Sequence, residues 1–438
     1  MSKNSARNTS PTTDLTLFQD RRFLLLWLAQ VISSLGDWAL LVVLPVTLYN
    51  ASGSKLALGL AMIAGTLPVL LFGLIGGVYA DRWNRRRTMI AADLGRALAI
   101  LLLLGIANSR HFGPHDLAAF YGVAFLVASF SCFFSPARVG LMTALLPREK
   151  LLQANALTLS GMQLTMLLGP ALGGLLVAWA HPRGAFIFDA ATFAASAILV
   201  SLIANVPTVV GTKAARGLAG VWADAGDGLR FVWGSPILRP TLILLSVAVI
   251  GGNVINTLEF AFVRDIWHGT GRQFGFIVSC IGLAALLTSL LGASAMKSAP
   301  PARLMLPGFF VMALADLLIS LSHNLYAGAG LLFVSGIGNA LVNLALATLF
   351  QMTAPNEIQG RVSATISLVN RLAMTLGSML AALLAVRYPA TAALRPIFGG
   401  VAGMLLLCGL LVWPLLGRAK SPQPTETLLL PQVAPAEN

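Results

Sequence analysis

Apolar residues run along this chain in long blocks separated by short polar breaks. The blocks lie near 23–49, 56–80, 88–107, 117–142, 157–180, 185–205, 237–263, 273–296, 304–322, 326–350, 363–386 and 398–417. Each is about as long as the roughly 20 residues an α-helix needs to cross the hydrocarbon of a bilayer. A helix satisfies its own backbone N–H and C=O groups, which lipid cannot do. The blocks lack the ten-residue alternating segments of a transmembrane barrel. The pattern therefore predicts twelve helical crossings, and an even number puts both chain ends on one side.

The breaks organise these crossings. The longest interior break follows the sixth block and divides the chain six plus six. The predicted plan is a polar segment 1–22, a first bundle 23–205, a central loop 206–236, a second bundle 237–418 and a polar tail 419–438. The fold class is an all-α membrane protein with twelve transmembrane helices in two pseudo-symmetric six-helix bundles. In the central loop, Trp222, Leu229, Phe231 and Trp233 are mixed with Asp224, Asp227 and Arg230. That mixture reads equally as an amphipathic helix on a membrane surface or as a linker. The polar start lacks the short apolar region of a signal peptide. The Pro-rich tail is expected to be disordered. A faint repeat supports the division. Pro147-Arg148-Glu149 precedes Asn155 and Gly169, while Pro355-Asn356-Glu357 precedes Ser363 and Gly377 at the same spacing.

Composition agrees with the pattern. Hydrophobic residues make up 57% and charged residues 10%, against about a quarter charged in soluble domains. A water-exposed globule is excluded. The net charge of +13 needs no nucleic acid to explain it. Most of the 29 Lys and Arg fall in breaks on the side of the termini, with the densest run at Arg82–Arg87. Basic loops face the cytoplasm, so both termini are expected there. Cys132, Cys280, Cys408 and five scattered histidines show no disulfide framework or metal-ligand spacing. Neither a nucleophile–base constellation nor a phosphate loop is present, so neither an enzyme nor a bound cofactor is expected.

Charged and amide side chains inside the blocks are the candidate chemistry, because ionisable groups at membrane depth face protein or water. Asp37, in the middle of the first block, is the leading candidate for a proton or cation-substrate site. Glu259 is a second candidate across a cavity. Asn256 shares its face at i,i+3, and Asn253 is expected to extend that stripe along the cavity. Asp93 and Arg96 are spaced i,i+3 and predict an internal ion pair or partners of the Arg82–Arg87 loop. Asp189 and Asp316 read as network or cavity residues. Arg371, about eight residues into its block, is placed to snorkel, to pair with an acid or to attract an anionic substrate. Gln30 and Gln163 are further polar candidates.

Three stretches carry a family resemblance. Gly77-Val-Tyr-Ala-Asp81-Arg82-Trp-Asn84-Arg85-Arg86, between the second and third blocks, resembles the signature loop of the major facilitator superfamily. Asn84 stands where that loop usually has a second Gly; Asn tolerates positive φ, so the turn is expected to survive. Gly161 and Gly169-Pro170-Ala-Leu-Gly173-Gly174 resemble the fifth-span motif of the superfamily's exporters and antiporters. Gly36-Asp37, Phe134-Ser-Pro136-Ala-Arg138 and Leu152-Gln-Ala-Asn155 are similar to the macrolide-efflux and enterobactin-exporter branch. The match runs over roughly 20–420. Two features depart from the pattern: span four has no buried arginine, and the second half has no Asp-Arg loop near Met296-Lys297.

The resemblance implies a monomeric, multi-pass transporter of the bacterial cytoplasmic membrane. Its cargo would be an amphiphilic small molecule such as a drug, macrolide-like compound or siderophore. It would leave the cytoplasm or inner leaflet by proton antiport and rocker-switch alternating access. A lysophospholipid transporter of the same superfamily is the alternative. Gly77, Asp81, Arg82, Arg85 and Arg86 would form a conformational latch. Gly169, Pro170, Gly173 and Gly174 would serve packing and gating.

Overall fold

The computed structural model describes residues 15–106, 113–204, 218–295, 301–354 and 358–418. The expectations for the N-terminal segment before Leu15, the loop up to Leu218 and the tail after Arg418 lie outside the described residues. Twelve helices follow a short 3₁₀ turn at Leu15–Gln19. They are α1 (Arg21–Ser52), α2 (Lys55–Arg82), α3 (Arg85–Ile106), α4 (Pro114–Leu145), α5 (Arg148–Ser201), α6 (Leu218–Gly234), α7 (Leu238–Asp265), α8 (Gly271–Ala295), α9 (Pro301–Leu321), α10 (Leu325–Thr353), α11 (Gln359–Arg387) and α12 (Leu394–Arg418).

Local chemistry sets the ends. The Asp20 carboxylate accepts the Arg22 N–H at 2.9 Å and opens α1. Gly53, at φ 61°, closes it by donating to Tyr49 O. Asn324 caps α10 by accepting the Tyr326 N–H at 2.8 Å. The fifth and sixth crossings form one continuous element, α5, with a corner at His181, where φ is 54° and ψ 173°. Pro182 follows and disfavours helical backbone at the residue before it. With α5 counted as two arms, the described helices make the twelve crossings, and α6 lies outside them.

The crossings form two bundles. In the first, α1 packs on α5, α2 on α4, and α3 on α4 and α5. In the second, α7 packs on α11 and α12, α8 on α10, and α9 on α10 and α12. The repeated glycines make equivalent contacts. A Cβ on Gly169 would stand 3.1 Å from Leu35 O of α1, and one on Gly377 would stand 2.6 Å from Ile250 O of α7. Small residues bring membrane helices to backbone contact in this way.

The bundles meet through α5 with α8 and α2 with α11. At the end opposite the termini, here the far end, the contacts are tight. Gly174 lies against Gly275, and a Cβ on Gly59 would stand 2.7 Å from Ala382 Cβ. Tyr49 donates to Asp265 at 2.6 Å, and Lys55 donates to the carbonyls of Pro389 and Ala390 at 3.0 Å. The rings of Tyr49, Phe260 and Phe274 form a continuous plug across α1, α7 and α8.

Toward the terminus end the same faces separate. On one face of α10, Leu332 and Gly336 are buried, whereas Asn339, Asn343 and Ala347 are exposed. On α11, Ala382 and Ser378 are buried, whereas Arg371 and Ser367 are exposed. The molecule is closed at the far end and open at the terminus end. The Tyr49–Asp265 bond joins α1 to α7 across the closed far end. A hydrogen bond to a charged group contributes about 1.5 kcal/mol or more, so Tyr49→Phe should shift the population roughly tenfold toward an open far end. Spin-label distances between α1 and α7 at that end would read the shift.

Candidate functional site

The first bundle holds a charged cluster at mid-depth. Asp37 stands midway along α1, on the open face, with a side chain 43% exposed. Arg96, on α3, is 2% exposed and sits 3.6 Å from the Asp37 carboxylate. The same guanidinium bonds Asp93, one turn away, and lies between the rings of Phe134 and Phe193, 4.5 and 4.4 Å from their centroids. Such a sandwich combines cation–π attraction with exclusion of water. Ser196 donates to the other Asp93 oxygen at 2.7 Å. The second arm of α5 adds Asp189, buried, next to Gly36 and Thr192. Among the described residues, neither Asp189 carboxylate oxygen has a hydrogen-bond partner.

The i,i+3 spacing of Asp93 and Arg96 is thus a real pair, and it extends to Asp37. Gln30 is buried on α1, and its Oε1 accepts from Arg138 at 2.8 Å. That bond ties α1 to α4. Gln163 is half-buried on the first arm of α5.

The polar stripe of α7 divides. Asn256 is exposed on the open face. Asn253 is buried, and its amide donates to Met374 O and, at 2.7 Å, to Ser378 Oγ, both on α11. Residues three apart share a face, but six apart they are turned by about 240°, so Asn253 and Glu259 point to different neighbours. Glu259 is buried, with Oε1 unpartnered among the described residues. Asp316 of α9 is buried as well, and it accepts from Ser335 of α10 at 2.7 Å.

Arg371 is exposed between the bundles. Its guanidinium lies over Gly73 of α2, 3.7 Å from where a Cβ would stand. Because α11 starts at Gln359, Arg371 is about 18 Å along the helix at ~1.5 Å per residue. That is deeper than the apolar block suggested. Asn339 and Asn343 of α10 line the same opening, with Asn343 Nδ2 donating to Asn339 Oδ1 at 2.8 Å. Sequence reading missed this i,i+4 amide pair, although spacing inside an apolar block is the signal it used for Asn256.

The surroundings of Gly77 and the side chains of Asp81 and Arg82 lie outside what the structure describes. Arg85 donates to Gly140 O of α4 at 2.8 Å. Arg86 donates to the carbonyls of Val200 and Ser201 at the end of α5. Cations at helix C-termini meet unpaired carbonyls and the negative end of the dipole. Asn84 does not take the positive φ expected of it. It caps α3 instead, accepting the Arg87 N–H at 3.1 Å. Gly169 and Gly173 face α1, while Pro170 and Gly174 face Gly275 of α8, so the fifth-span motif serves one contact within a bundle and one between bundles.

The transmembrane secretion effector family model matches residues 12–424. The uncharacterized MFS-type transporter YfiS of Bacillus subtilis is 25% identical over 82% of this chain and 86% of its own length. The enterobactin exporter EntS of Shigella flexneri is 27% identical over 88% of this chain and 90% of its own. Among solved structures, the nucleoside transporter NupG superposes with a TM-score of 0.73 at 11% identity, covering 91% of this chain and all of that one. A bacterial homolog of the human lysosomal transporter Spinster, inward-facing and unoccupied, gives 0.72 at 14% identity over 91% and 98%. These two show a shared fold.

Proposed function

Because the chain belongs to the transmembrane secretion effector family of major facilitator transporters, we propose that it is a secondary exporter that moves an amphiphilic small molecule out of the cytoplasm or inner leaflet against a flow of protons. The observation that carries this reading is Asp37: a carboxylate halfway through a membrane helix, exposed to the open cavity and touching a buried arginine. A group so placed reaches water from one side only, and the side changes when the bundles rock. The basic loops put the open end in the cytoplasm, so the far end is periplasmic and the described state is inward-open. Asn256, Asn339 and Asn343 supply neutral polar contacts to cargo, and Arg371 supplies a counter-charge to any anionic group it carries. Asp81 and the Arg82–Arg86 run act as the latch of the opposite state, in which the cytoplasmic end closes. The chain works as a monomer.

Proton binding moves the equilibrium only if the inward and outward states hold the proton with different affinity. Asp37 meets that condition because its access to water and its distance from the closing bundle both change with state.

The test is transport by purified protein in vesicles under an imposed pH gradient, with a catecholate siderophore, a macrolide and a labelled lysophospholipid as cargo. Gradient-dependent movement of the siderophore or the macrolide is expected. Gradient-independent movement of the lysophospholipid alone would overturn the reading in favour of a lipid transporter.

A further inference from the structure

The mid-depth cluster of the first bundle gathers more acid than Arg96 alone balances. Asp37 and Asp93 pair with Arg96, and Asp189 packs against Gly36 on the same stretch of α1. Two of the three are accounted for: Asp93 by Arg96 and Ser196, and Asp37 by Arg96 and the open cavity. Asp189 is 1% exposed, and neither of its carboxylate oxygens has a hydrogen bond among the described residues. It packs against Gly36, the neighbour of Asp37 in the chain, where a Cβ would stand 3.2 Å from Thr192 Cβ. Removing an ionised carboxylate from water without a hydrogen bond or a dedicated cation is far costlier than burying the neutral acid.

The other charged groups near it are few. α1 presents Asp37, and α3 presents Asp93 and Arg96. α4 presents the Phe134 ring, while its Arg138 is held by Gln30. On α5 itself the nearest charge is Arg183, exposed at the far-end corner, and Arg272 of α8 is likewise exposed at the far end.

We propose that Asp189 is a second proton carrier, protonated in the inward-open state and exchanging its proton with Asp37. This rests on the antiport reading and extends it to a second residue. The internal step breaks the Asp189 O–H bond and forms an O–H bond on Asp37. Asp189 is left as a carboxylate and Asp37 becomes neutral, so the total charge of the cluster is unchanged. Asp37 then exchanges that proton with the cavity, and reprotonation of Asp189 by the reverse path resets the pair. Asp189 acts through Asp37 and touches no cargo, and it lets the bundle hold a proton while the cavity is sealed.

Infrared spectroscopy of the purified full chain at pH 7 tests the first half. The carbonyl stretch of protonated carboxyl groups should contain a component that is lost in Asp189→Asn and kept in Asp37→Asn. In Gly36→Ala, which crowds the same group without removing it, the band should shift. Melting temperature should change little in Asp189→Asn, because no hydrogen bond is lost. A band unaltered by both Asp189→Asn and Gly36→Ala overturns the proposal. Vesicle transport tests the second half: Asp189→Asn should lower the protons moved per cargo about twofold. An unchanged ratio with the band lost overturns the exchange with Asp37. Absence of pH-driven transport by the unaltered protein, with the band intact, overturns the antiport reading and leaves the protonation of Asp189 standing.

Discussion

Asp37→Asn should reduce transport driven by a pH gradient at least tenfold, to the rate seen without a gradient, while exchange of cargo between equal pools continues. The substitution keeps shape and removes the titrating group. Arg96 stays paired with Asp93 and enclosed by Phe134 and Phe193, so folding is not expected to fail. The lost Asp37–Arg96 contact involves a partly exposed carboxylate, and such pairs contribute about 1 kcal/mol or less. Flux into vesicles with and without the gradient, together with the melting temperature, separates coupling from stability. Gradient stimulation that survives in Asp37→Asn would remove Asp37 from the coupling path.

The second large effect is expected at the seam between bundles. Gly275→Leu should trap the molecule with its far end open and lower transport more than tenfold. With the far end closed, a Cβ at Gly275 would lie against Pro170 O and 2.8 Å from the Gly174 Cα. These are backbone atoms of α5, which cannot rotate aside as a side chain can. Overfilling an ordinary core site costs about 1–3 kcal/mol; a clash with the rigid backbone of α5 exceeds that in this state alone. An open far end gives the same leucine room, so the chain still folds. Spin labels on the far ends of α5 and α8 should report a longer distance than in the unaltered protein. An unchanged distance with full transport would show that the seam does not need its glycines.

The two experiments address different parts of the chain, and so did the sequence. The crossings were legible because lipid imposes one rule on every helix, a long apolar run. The corner at His181 was legible as a four-residue gap in that run. The equivalence of Gly169 and Gly377 was visible as a spacing, and its cause is the same backbone contact made twice. Asp93 and Arg96 were legible because one helical turn joins them. The reach of Arg96 to Asp37 was not, since it depends on how α3 leans against α1. In the sequence Asp189 reads only as a network or cavity residue; what singles it out is the lack of partners among the described residues, which no spacing reveals. The turn at Asn84 was misjudged because the same side chain that tolerates positive φ is also a good helix cap, and here the cap prevails.

The corner of α5 carries a mechanical consequence. Most membrane hairpins join through a flexible loop that absorbs relative movement. Here the turn is a single residue of non-helical backbone at His181. The arm before it forms the seam with α8, and the arm after it holds Asp189 against α1 and α3. With so little slack at the elbow, a tilt of the seam arm must be delivered to the acid cluster nearly in full, so that the far-end closure and the surroundings of the buried acid move as one lever.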